Sequence, residues 1–166
     1  MGIPTWTSGE VLTASDVNAW FVPLNAVKGT DETVTSSTAL QNDNDLVLAV
    51  PANVTYKFDC LVIYTGATGG DIKWTWAVPS GATLLYQCLH NEGGGTGLNN
   101  STQAYSDLNT LQAAGGASQV EAVNMRGRMT TSSTAGNLQL QWAQNSSNAT
   151  ATIMRIQSNL TLQRVA

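Results

Sequence analysis

One histidine, two cysteines and eleven carboxylates are the residues from which this chain could build an active site. His90 stands two residues after Cys88, which in an extended segment puts both side chains on one face. Neighbours on one strand are a poor start for a nucleophile and its base, which need a specific mutual approach, so a surface or structural histidine is expected. A zinc site from Cys60, Cys88 and His90 lacks a fourth protein ligand and the close ligand pairs of such sites. The run Asn42-Asp43-Asn44-Asp45 is calcium-loop-like in composition, yet the glycine and the later bidentate glutamate of that loop are missing. An Asx-rich turn accounts for the same residues. Asp59 and Asp71 could face each other on adjacent strands as a glycosidase pair does, but Lys57 and Lys73 stand beside them and ordinary cross-strand charge pairing explains them. Gly93-Gly94-Gly95-Thr96-Gly97 has no Lys-Ser/Thr after it and reads as a flexible loop, not a phosphate cradle. The expectation is a protein that is not an enzyme, with no metal and no cofactor.

The elements that must position these residues are almost all strands. From Val54 to Tyr64, the side chains of Tyr56, Phe58, Cys60, Val62 and Tyr64 share one face, with Lys57 and Asp59 on the other. Ile72, Trp74, Trp76 and Val78 alternate with polar or small residues, which assigns the two tryptophans to a core and not to an exposed sugar platform. Val123, Met125 and Met129, then Leu138, Leu140 and Trp142, repeat the pattern, and one or two further strands fall between Ala149 and Val165 with a break near Ser158-Asn159. About eight strands separated by turn signals predict an all-β fold, an antiparallel β-sandwich. Residues 91–119 read as a long loop of the kind that is functional or held by a neighbour.

The exception lies near the start. Thr13 can cap a helix, with Asp16 closing a capping box, and Val17, Trp20, Phe21 and Leu24 fall on one stripe before Pro23 interrupts it. The spacing predicts a short helix over about residues 14–22. Such a helix is marginal in water by itself and needs a surface to cover its aromatic face. The chain therefore divides into an N-terminal arm, residues 1–29, in which Asn25-Ala26-Val27-Lys28-Gly29 serves as a linker, and a β-sandwich domain, residues 30–166.

Charged residues are 11% of the 166, less than half the usual share of about 25%, and Thr, Ser, Asn and Gln take their place. A net charge of −4 with scattered Lys and Arg argues against nucleic acid or an anionic membrane as partner. No apolar run approaches the ~18 residues of a membrane span. The opening residues lack the basic-then-apolar pattern of a secretory signal, so synthesis in a cytoplasm is expected. Cys60 and Cys88 are expected to be buried free thiols.

Certain stretches resemble a known group. Trp6 with Gly9-Glu10-Val11-Leu12-Thr13-Ala14-Ser15-Asp16-Val17-Asn18, then Leu40-Gln41-Asn42-Asp43-Asn44-Asp45-Leu46, Trp142-Ala143-Gln144-Asn145 and Leu160-Thr161-Leu162-Gln163-Arg164, resemble small virion structural proteins of tailed bacteriophages, especially those of actinobacterial hosts. That group includes capsid decoration, minor capsid and minor tail proteins. The resemblance implies a jelly-roll sandwich that associates as a homotrimer and sits on the virion. The resulting expectation is a capsid decoration, or cement, protein on the capsid surface that grips the major capsid protein through Trp6, Val11, Leu12, Val17, Trp20 and Phe21. The competing expectation is a tail-fibre or host-recognition module whose 91–119 loop binds a receptor or glycan.

Overall fold

A computed structural model describes residues 5–90, 103–106, 112–114 and 119–165. In chain order these form helix α1 (Ala14–Phe21) and strands β1 (Leu24–Val27), β2 (Glu32–Val34), β3 (Gln41–Val50), β4 (Thr55–Thr65), β5 (Ile72–Ala77), β6 (Thr83–His90), β7 (Gln103–Ser106), β8 (Gln112–Ala114), β9 (Val120–Thr130), β10 (Gly136–Gln144), β11 (Thr152–Met154) and β12 (Asn159–Arg164). Twelve strands are thus described where about eight were expected. The additions are short: β1, the pair β7 and β8 inside the 91–119 stretch, and the division of the chain end into β11 and β12. The glycine run at 93–97 lies outside the described residues.

The pairing follows a nested rule. β1 pairs with β12, β2 with β11, β3 with β10, β4 with β9, β5 with β8 and β6 with β7, every pair antiparallel. The chain is therefore one long hairpin, β1 to β6 going out and β7 to β12 coming back, rolled up on itself. Rolling places its pairs in two sheets. One has the order β1-β12-β4-β9-β6-β7 with β11 and β2 attached beside β4, and the other has the order β3-β10-β5-β8. That is the jelly-roll sandwich.

One-sided burial explains why the strands form where they do. Tyr56, Phe58, Cys60, Val62 and Tyr64 of β4 are all buried, as are Ile72, Trp74 and Trp76 of β5, and Leu138, Leu140 and Trp142 of β10. The sheets meet through contacts such as the edge-to-face pair of Phe58 and Trp76, with ring centroids 5.1 Å apart. Because β4 and β5 lie in different sheets, Asp59 and Asp71 are not neighbours. Asp59 instead pairs with Arg126 on β9, at 3.1 Å, on the outer face.

Residues 25–29 are not a linker. Leu24–Val27 is the edge strand β1, in register with Leu162 to Asn159 of β12, and the amide of Lys28 continues the ladder to the Ser158 carbonyl at 2.8 Å. The Lys28 side chain turns inward and is only 1% exposed. Its Nζ lies 2.7 Å from Glu32 Oε2, 3.0 and 3.1 Å from the two oxygens of Asp43, and 3.5 Å from Asp45 Oδ2. Asp43, expected in an exposed turn, is fully buried within β3, and the turn chemistry survives inside the strand. Asp43 Oδ1 accepts from the amides of Asp45 and Leu46 while the register against β10 slips between Gln139 and Gln141. A buried charge is tolerated only when paired and hydrogen-bonded, and each member of this group is.

Gly127 marks a close approach between strands. It sits between Phe58 of β4 and Tyr86 of β6, whose rings reach across it to 5.9 Å. A Cβ here would collide with the Leu85 carbonyl oxygen and come within 2.6 Å of Tyr86 Cα. Gly127→Ala should force β6 away from β9 and destabilise the protein by about 1–3 kcal/mol, as overpacking does. Urea denaturation of the two proteins measures it.

Candidate attachment surface

The arm is built from local signals. Thr13 adopts an extended conformation and its Oγ1 accepts from the Asp16 amide at 3.2 Å. The Asp16 carboxylate accepts in return from the Thr13 amide at 3.0 Å and from its hydroxyl at 2.6 Å. Both halves of the expected capping box are therefore made. Upstream, Glu10 accepts from the Thr7 amide at 3.0 Å and its own amide donates to the Thr7 carbonyl, closing a turn through Gly9 at φ +90°. Downstream, Val22 is extended, as a residue before proline must be, and the helix stops at Phe21.

The six residues singled out in the sequence part company here. Trp20 is used within the chain. The Arg164 guanidinium of β12 lies 3.7 Å from its ring centroid, and its carbonyl accepts from Gln163 Nε2 at 3.3 Å. Trp6 is half-buried and folds back on Phe21, with centroids 5.8 Å apart. Val11, Leu12, Val17 and Phe21 face solvent, Val11 at 81% and Phe21 at 55%, and Val22 beside them is exposed too. No residue of α1 is buried. The helix thus touches its own sandwich through the ring and the carbonyl of Trp20 and presents Val17 and Phe21 outward. Covering a fully exposed side chain of this kind is worth about 1.5–3 kcal/mol before the costs of association, and Leu12 and Val17, already half covered, contribute less.

A second apolar group was not singled out beforehand. Leu85, Leu89, Val120 and Val27 are exposed on the outer face of the larger sheet, Val120 at 63%. Register aligns Val27, Asn159, Leu61, Asn124 and Leu89 in one row across five strands. The readable signal is in β6, where Leu84, Leu85 and Leu89 put apolar side chains on both faces of one strand.

The groups considered for catalysis have structural engagements. Burial, reinforced by nearby negative charge, pushes the Cys60 thiol well above its ordinary value, and burial pushes the Cys88 thiol up to about 12. Neither is a thiolate near neutrality. Both are free and buried, as expected. Tyr64 donates to Glu121 Oε2 at 2.6 Å, and burial together with that carboxylate raises its phenol as well. Among the described residues no three His, Cys, Asp or Glu side chains come together as a metal would need. The side chain of His90 lies outside the described residues.

No family model matches the sequence, and no curated protein matches it. Among solved structures, the chain is similar to the tripod from the baseplate of bacteriophage Tuc2009, at 12% identity and TM-score 0.41, over 97% of this chain and 73% of that one. It is also similar to a chain of infectious bursal disease virus, Gx strain, at 8% identity and TM-score 0.35, over 87% and 37%. At these scores nothing in the functional reading rests on either.

The arm's two attachments make separable predictions. Arg164→Ala removes a contact worth about 0.5–1 kcal/mol. Limited proteolysis within residues 5–22 should accelerate several-fold while the sandwich's unfolding midpoint scarcely moves. The side chain and amide of Thr13 hold the Asp16 carboxyl below its ordinary value of 3.8. A depressed carboxylate stabilises the helix fully above the ordinary value, and that support is lost as pH falls through the lowered one. Amide chemical shifts of residues 14–21 should therefore be unchanged down to about pH 5 and collapse toward coil only in strong acid.

Proposed function

We propose that the protein is a virion structural protein and, within that class, a capsid decoration protein. In this reading it binds the assembled head as a homotrimer and contacts the major capsid protein through its N-terminal arm. The observation that carries the reading is the capped helix and the turn before it, whose Val11, Leu12, Val17 and Phe21 stay exposed although a sandwich with its own buried core lies beside them. The low charge content and the resemblance of the arm and strand sequences to phage virion proteins support it. The exposed Val27, Leu85, Leu89 and Val120 on the outer face of the larger sheet supply a candidate surface for contact between subunits. The role is binding and not catalysis, in keeping with the engagement of Asp59 by Arg126. Its mechanism is mass action: a protein that binds only the assembled shell stabilises that shell.

The test is a deletion that ends at Val22, since Leu24 already belongs to the sandwich. The truncated protein should keep its unfolding transition and lose shell binding by at least ~10-fold, the equivalent of about 1.4 kcal/mol. Occupancy is counted on purified heads. Wild-type occupancy by the truncated protein would sink the arm's role, and labelled protein found only at the tail tip would favour the host-recognition reading.

A further inference from the structure

The Lys28 group is arranged for more than charge pairing. Lys28 Nζ lies against both oxygens of the fully buried Asp43 carboxyl group, at 3.0 and 3.1 Å. One of those oxygens, Oδ1, also receives two backbone N–H donors, from Asp45 at 3.0 Å and Leu46 at 2.8 Å. Two amides converging on one carboxyl oxygen are what stabilises a tetrahedral oxyanion. On the other side of the nitrogen, Glu32 Oε2 sits 2.7 Å away, where a proton acceptor would stand. Glu32 is itself held by the Asn44 amide and the Gln41 side chain, each at 3.2 Å. The backbone of Lys28 is fixed by Ser158 and Gln157, and that of Asp43 by Gln139. Nucleophile, acyl carbon, oxyanion donors and base are thus brought together by β2, β3 and the residue that follows β1, each hydrogen-bonded to a partner strand or its continuation.

We propose that Lys28 and Asp43 condense to an intramolecular isopeptide bond, with Glu32 carrying the proton. The Lys28 ammonium passes one proton to Glu32, and the freed lone pair attacks Asp43 Cγ. The negative charge that develops on Oδ1 rests on the Asp45 and Leu46 amides. Oδ2 collects two of the three ammonium protons, one of them through Glu32, and leaves as water as the Cγ–Oδ2 bond breaks. An ammonium and a carboxylate become an amide and one water, with no change in net charge and no oxidant, reductant or activating co-reactant. Fixed geometry replaces activation: well-oriented intramolecular partners behave as if at roughly 10⁵–10⁸ M. Burial favours the neutral amine, while the carboxylates of Glu32 and Asp43 hold the ammonium above its ordinary value, and Asp45 lies beside them. The reactive neutral form is therefore scarce, and the bond forms slowly after folding. Its product ties the end of β1, the root of the arm, covalently to β3. This inference is independent of the proposed attachment role.

Intact-mass measurement of the full chain, folded, aged and then denatured, tests it. The expected result is a mass one water below that of the sequence, with a linked peptide joining Lys28 to Asp43 after proteolysis. Glu32→Gln, checked for folding by its unfolding transition, should stay at its full sequence mass at least ~10-fold longer, in line with the loss of a general base. Lys28→Arg should never lose the water. A wild-type mass equal to the sequence after prolonged ageing overturns the proposal and leaves a buried ion cluster. So does a water deficit without the linked peptide, as a succinimide would give.

Discussion

The first and last strands of this chain are hydrogen-bonded to each other, and each strand inward from them obeys the same nesting. Much else follows from that constraint. Because β1 must pair with β12, the arm emerges beside the C-terminal strand, where Arg164 and Gln163 are within reach of Trp20. Because the hairpin is rolled, β3 crosses to the other sheet and brings Asp43 to the edge where β1 ends. The Lys28 cluster stands at that corner, where the larger sheet passes into the smaller. A loss of pairing between β1 and β12 would dissolve both the arm's footing and the cluster.

The two halves of the molecule differ in what holds them. The sandwich rests on large side chains from both sheets, Trp74, Trp142, Phe58 and Tyr86 among them, interleaved at full burial. The arm rests on a cap, a turn, the Trp6–Phe21 ring contact, and a cation–π contact and a hydrogen bond at Trp20. Local order without a core suits a segment whose apolar surface is meant for something else. On the sandwich surface Leu89 and Val120 stand opposite the neutral Asn124 and Thr65, while Leu85 stands opposite Arg128.

What could be read from the sequence was whatever depends on neighbours in the chain. The faces of β4, β5 and β10 were legible residue by residue, since one-sided burial imposes a period of two. The capping box was legible because its partners are three residues apart. The strand nature of residues 25–27 was not, because four residues of an edge strand carry almost no alternation and their partner lies at the far end of the chain. Asp43 was misplaced for a related reason. A carboxylate in an Asn/Asp run looks solvated until its distant lysine is known. The exposed apolar residues of the outer face break the one-sided pattern: on β6, Leu85 and Leu89 lie on the face opposite Leu84, where a period of two predicts polar side chains. The 91–119 stretch was read as a loop, yet it contains β7 and β8, two very short strands that complete the innermost pairs.

The grip of Arg164 on Trp20 has one more consequence. Lifting the ring off its cation costs on the order of 1 kcal/mol, little more than thermal energy. Thermal motion therefore opens and recloses the contact readily, and the Trp20 ring spends part of its time among the solvent-facing apolar side chains of the arm.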